Sequence, residues 1–113
     1  MNEWIVYFVQ QEMPDGHGPV KIGCTKSLYA RRRELQVASP YPLIVRGEIT
    51  SIGTLTAHWM ERAIHQRLHD RGLYMRGEWF RDDPGVWRVY RWFQENGLDY
   101  ARAALAAQRG YEC

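Results

Sequence analysis

The sequence predicts an α+β fold: a small three-stranded antiparallel sheet flanked by helices, in the order ββαβα, with extra helices at the C-terminal end. Three observations predict it. Short runs rich in β-branched and aromatic residues alternate with helix-length stretches in the first half of the chain. Beyond Phe80 the chain carries helical patterning and no strand-like run. A length of 113 residues is one domain of ordinary size with one modest core.

The elements follow in order. "EWIVYFV" (Glu3 to Val9) reads as a buried strand. "QQEMPDGHG" is a turn-rich connection, and "PVKIGCT" (Pro19 to Thr25) is a second strand. The two should form an antiparallel hairpin with a long loop. Ser27 to Ala38 reads as a helix stopped before "SPYP", and Pro42 to Thr50 as a third strand. Thr54 to Asp70 is a second helix, ended by Arg71-Gly72. "GEWF" (Gly77 to Phe80) is a short extended piece. "DDPGVWRVYRWFQEN" opens with acids and a proline near its first turn, so it should be a third helix; Val86, Val89, Tyr90 and Phe93 form its apolar face. The alanine-rich "GLDYARAALAAQRG" should be a fourth.

Charge and cysteine content bound the function. The formal net charge is only +2, but from Lys21 to Arg46 six bases (Lys21, Lys26, Arg31, Arg32, Arg33, Arg46) face one acid, Glu34. A local basic stripe is either a phosphate footprint or a solvated helix face. The two cysteines, Cys24 and Cys113, make a poor disulfide framework. The N-terminal "MNEWIVYFVQQ" carries an acid early and no basic segment, and no apolar run is long enough to span a bilayer. A reduced, cytoplasmic protein with no membrane partner is expected.

Two charges sit where apolar residues are due. At about 100° per residue, Leu28, Arg31, Leu35 and Ala38 fall on one stripe of the first helix, so Arg31 is aimed at the core edge. Arg32 lies on the opposite flank of the leucines and Arg33 faces water. On the second helix Ala57, Met60, Ile64 and Leu68 form the apolar face. Glu61 borders that face, with His58 and His65 further round on the same side. Inward charges are costly unless paired or bound to a ligand. Arg31 and Glu61 therefore either pair with each other or present opposite charges to one cleft, where a carboxylate suits a hard metal ion and a guanidinium suits a phosphate. A zinc site at His58, Glu61 and His65 is disfavoured: the spacing is not HExxH and there is no CxxC.

Between Trp4 and Phe80 the residues resemble the GIY-YIG nuclease superfamily. "IVY" (Ile5 to Tyr7) stands where the first tripeptide belongs and "KIG" (Lys21 to Gly23) where the second belongs. Arg31 follows Gly23 at the family spacing, and Glu61 stands where the metal-binding glutamate belongs. With His65, "SPYPL" and "GEWF", the pattern is similar to a stand-alone phage, bacterial and fungal branch in which lysine replaces the second tyrosine. The sequence departs from the family at the missing first glycine and at Leu35, where a histidine is expected.

The resemblance implies a nuclease core over residues 1–82 and a helical extension over 83–113 packed on it, one domain overall. It implies an endonuclease that hydrolyses DNA phosphodiesters with Mg²⁺ or Mn²⁺. Glu61 would hold the metal. Arg31 would contact the scissile phosphate. Tyr7 would act on the water as base or relay, with Lys21 as the cation that lowers its pKa or as the group that orients the water itself. His65 would assist nearby. Lys21, Lys26, Arg31 and Arg32 would touch nucleic acid, and Gly23, Glu78 and Trp79 would shape the cleft. The expected partner is DNA, branched and single-stranded forms included, with a second copy or a partner protein supplying specificity. Two other classes stay open: a weak or inactive nucleic-acid-binding module of the same fold, and a protein-interaction domain in which Arg31 and Glu61 form a structural ion pair.

Overall fold

The structure, a computed structural model, describes residues 3–112, without the side chains of Ile52 and of residues 108–112. Cys113, the second cysteine of the sequence, lies outside the described residues. The elements are β1 (Glu3–Met13), β2 (Gly16–Thr25), α1 (Leu28–Ala38), β3 (Leu43–Ile52), α2 (Thr54–Asp70), β4 (Tyr74–Arg76), β5 (Trp79–Phe80) and α3 (Pro84–Glu112).

Strand β1 is the centre of gravity of the sheet. Its two faces are set by the period of two along an extended chain. Val6 and Phe8 face α2 and α3 and join Val20, Ile22 and Ile49. On α2, Ala57, Met60, Ile64 and Leu68 are all fully buried, as their 3.6-residue spacing predicts. On α3, Val86, Val89 and Phe93 close this large core. Tyr7 and Val9 point the other way, into a small cluster with Leu43 that Ile5, Leu28, Leu35, Val45 and Trp79 border. Helix α1 covers that side, and none of its residues is buried. The sheet is thus packed thickly on one face and thinly on the other, which leaves room for a cleft beside α1.

The fold remains α+β, but three expectations change. The sheet has five antiparallel strands in the order β3-β1-β2-β5-β4, not three. The "GEWF" piece supplies β5, which pairs with β2 through Val20↔Phe80 and Lys21↔Trp79, and β4 pairs with β5 beyond it. Strand β4 is three residues long and all three are exposed, so it has no alternation for the sequence to display. Its place comes from pairing across the turn at Gly77, whose φ of 57° is left-handed.

The expected third and fourth helices are one, α3, of 29 residues. Gly97 does not break it. An ideal Cβ there would stand 2.9 Å from Phe93 Cδ1 and 3.2 Å from Met60 Sδ, so the glycine lets α2 approach α3. The long β1–β2 loop also disappears. The polar run Gln10 to Met13 continues β1, leaving only Pro14 and Asp15 between the strands. Gln10 is fully buried there and donates from Nε2 to the Gly18 carbonyl at 2.9 Å.

Gly47 on β3 is held tightly under α3: an ideal Cβ would lie 2.6 Å from Cε1 of Tyr90. The expected cost of Gly47→Ala is about 1–3 kcal/mol, read from urea unfolding midpoints. A Gly47→Ala, Tyr90→Ala double variant should recover part of that loss relative to Tyr90→Ala alone.

Candidate active site

Gly23 sits where the sheet edge opens. Strand β5 pairs with β2 at Val20 and Lys21, and the Ile22 amide donates to the Glu78 carbonyl at 3.0 Å. Across β1, Gly23 is the direct partner of Tyr7. An ideal Cβ at Gly23 would lie 2.5 Å from the Tyr7 hydroxyl oxygen and 3.2 Å from Glu78 Oε1. The missing side chain is what lets the phenol cross β2 toward Glu78.

Three more elements bring charges to this opening. Helix α1 starts at Ser27, whose hydroxyl accepts from the Ala30 amide at 3.3 Å, and Arg31 follows in the next turn. Helix α2 contributes His58, Glu61 and His65 from one side of its surface. The Gly77 turn presents Glu78. Together Tyr7, Lys21, Cys24, Arg31, Leu35, His58, Glu61 and Glu78 line a polar cleft of about 310 Å³.

The cleft is electrostatically tense around its two carboxylates. Ligand atoms of Glu61, His65 and Glu78 all lie within 4.8 Å of one another. Burial pushes the Glu61 carboxyl up to about 6; a hydrogen bond from the Cys24 thiol opposes the shift and the neighbouring Glu78 adds to it. Cys24 is itself pushed up to about 12 by burial and then by Glu61, so it stays a thiol. Lys21 Nζ stands 3.4 Å from Glu78 Oε1 and 5.4 Å above the Trp79 ring.

Tyr7 is raised well above the ordinary tyrosine range, by burial first and then by Glu78, with Arg31 opposing. Its hydroxyl is therefore a donor at neutral pH. The sequence expected Lys21 to lower it; here Lys21 is engaged by Glu78, and Arg31 is the cation that acts on Tyr7. His65 is lowered by burial, against its hydrogen bond to the Ile22 carbonyl at 2.8 Å. That carbonyl only accepts, so Nε2 carries the hydrogen. The same nitrogen is the one 3.9 Å from Glu61 Oε1. His65 thus ties α2 to β2 beside Glu61, and the two carboxylates are the groups that could hold a cation.

The other expected residues divide. Arg31 lines the cleft with its side chain 43% exposed and pairs with Glu34 at 3.4 Å, so the Arg31–Glu61 ion pair is not formed. Arg32 donates from Nη1 to the Leu43 carbonyl at 3.2 Å, which anchors α1 to β3. Lys26 stands over the Trp4 ring at 5.6 Å, beside the cleft. Trp79 belongs to the small core under Lys21. Sequence reasoning undervalued His58 and Cys24, which both line the cleft. His58 was legible as a residue one turn before Glu61 on the same helix side; Cys24 gave no signal beyond lying next to Gly23.

The chain belongs to the T5orf172 domain family, whose model matches residues 4–95. This family is different from the GIY-YIG nucleases and overturns the resemblance drawn from "IVY", "KIG", Arg31 and Glu61. The physical reason is visible in the hairpin. "IVY" is a buried strand segment, and the glycine of "KIG" is required by the Tyr7 ring, so both tripeptides answer to local packing. The family is phage-related and nuclease-associated. No curated protein and no solved structure matches the chain.

The Glu61 shift has a stability consequence of definite sign. Its folded pKa of about 6 exceeds the ordinary value of 4.5. Neutral Glu61 therefore favours folding below about pH 4.5, and that contribution is lost as pH rises through about 6. In the presence of a chelator, Glu61→Gln should be more stable than the parent at about pH 8, by on the order of 1–2 kcal/mol. The gain should vanish at about pH 4. Denaturant unfolding at the two pH values measures it.

Proposed function

We propose that this chain is a metal-dependent endonuclease that hydrolyses phosphodiester bonds in DNA. The observation that carries the reading is the polar cleft that two close carboxylates, Glu61 and Glu78, line together with a guanidinium, Arg31. A carboxylate raised by burial and by a second carboxylate fits a divalent cation, which relieves both costs. The hard oxygen pair favours Mg²⁺ or Mn²⁺ over a soft metal. Such an ion, when bound, supplies charge neutralisation at the phosphate and acidifies water.

The chain's own groups complete the site. Arg31, its side chain 43% exposed on α1, offers a planar fork to the scissile phosphate. Tyr7, held neutral, donates its hydroxyl to a phosphate oxygen. Lys21 holds Glu78 in place and adds positive charge for the nucleic-acid backbone, joined by Lys26 at the rim. His65 keeps Glu61 in register with Gly23. The family's association with nucleases supports the same reading. Specificity beyond the backbone would come from a second copy or a partner protein.

The test is nicking of supercoiled plasmid DNA with Mg²⁺ or with chelator. The parent should nick only with the metal. Arg31→Ala should slow the reaction by about 10²–10³-fold, the scale of losing one transition-state charge contact. Glu61→Gln and Glu78→Gln should abolish it, and Mg²⁺ should raise the melting temperature of the parent but not of Glu61→Gln. A parent that binds DNA and never cuts it is a binding module, and the enzyme reading then fails.

A further inference from the structure

The nuclease reading leaves one role in the cleft open, the acceptor for the proton of the attacking water. Tyr7 is a weak acceptor, because burial raises its hydroxyl above the ordinary tyrosine range. His65 cannot take the proton, because its Nε2 donates to the Ile22 carbonyl and its ring is half-buried against Phe80 at 4.9 Å. Lys21 is a cation paired with Glu78, and Cys24 is a thiol pushed up to about 12. Glu61 and Glu78 are the cation ligands.

His58 stands apart from these. It lines the cleft together with Glu61 and Arg31, one turn N-terminal to Glu61 on α2. Its Nδ1 lies 2.8 Å from the Thr54 carbonyl oxygen. A carbonyl accepts only, so Nδ1 carries the hydrogen and the neutral ring keeps its lone pair on Nε2. The Trp4 ring backs the imidazole at 5.5 Å, tilted by 53°. The ring is thus oriented from both sides, in a residue that is exposed and lines the cleft. A base held by a hydrogen bond through its other nitrogen is the arrangement that proton transfer from water needs.

We propose that His58 Nε2 is the general base that accepts the proton of the attacking water, an inference that rests on the nuclease reading of this cleft. The water O–H bond breaks and its hydrogen passes to Nε2. The oxygen's electron pair forms the new bond to phosphorus. The phosphorus–oxygen bond to the leaving group breaks with its pair on that oxygen, which takes a proton from solvent. The imidazolium, open to solvent, returns its proton there.

The experiment uses supercoiled plasmid DNA with Mg²⁺, the parent, His58→Ala, His58→Asn and Glu61→Gln. His58→Asn retains a side-chain N–H for the Thr54 carbonyl and has no basic nitrogen. Both His58 variants should fold with the parent's melting temperature and bind DNA as the parent does. Both should nick about 10²–10⁴-fold more slowly, the range lost with a general base. Free imidazole should restore cutting to His58→Ala and not to Glu61→Gln. An active His58→Asn, or a slow His58→Ala that imidazole does not rescue, overturns the assignment. An inactive parent overturns the nuclease reading, and with it this inference; an active parent with an equally active His58→Ala overturns the inference alone.

Discussion

The phenol of Tyr7 crosses β2 at Gly23, where β2 has no side chain, and the cleft is organised around that crossing. Tyr7 lies on the thin side of the sheet because Val6 and Phe8 must face α2 and α3. With Gly23 opposite it, the ring extends to the open edge of β2 and meets Glu78. A side chain at Gly23 would meet the hydroxyl at once. Helices α1 and α2 then approach from either side, and Arg31, His58 and Glu61 face the same space. The thick core makes this possible: α2 is anchored by four fully buried residues, so a neighbouring face can carry charge without loosening the helix.

The cleft is held together by compensation rather than by strong pairs. Glu61 is buried beside Glu78, and neither has Arg31 as its partner. Glu78 is tied to Lys21, Glu61 is tied to α2's own His65 and to the Cys24 thiol, and Arg31 is tied only to the exposed Glu34. Exposed pairs of this kind contribute little to stability. They leave Arg31 free to change partner at small cost, whereas burial beside Glu78 raises the Glu61 carboxyl.

Membership of the T5orf172 domain family, matched over residues 4–95, spans the sheet, α1, α2 and the first part of α3. It replaces a resemblance that rested on tripeptides. Short apolar-aromatic triplets are poor identifiers because a buried hairpin selects them for its own reasons. "IVY" satisfies β propensity and burial, and Gly23 satisfies the Tyr7 ring. No helix among the described residues is long and apolar enough to cross a membrane.

Local chemistry determined much of this protein. The alternation of Glu3 to Val9, the buried stripe of α2, the cap at Ser27 and the placing of His58, Glu61 and His65 on one helix side were all legible, because each depends on the period of a single element. Tertiary structure decided the rest. Strand β4 exists through pairing with β5, and Gly97 serves close packing inside α3 rather than ending it, since Met60 and Phe93 occupy the space a side chain would need. Glu78 meets Glu61, and Lys21 meets Glu78 rather than Tyr7, across distances in sequence that no local pattern encodes. Arg31 was readable as a misplaced charge; that it faces the cleft without pairing with Glu61 depends on how α1 and α2 dock on opposite faces of the sheet.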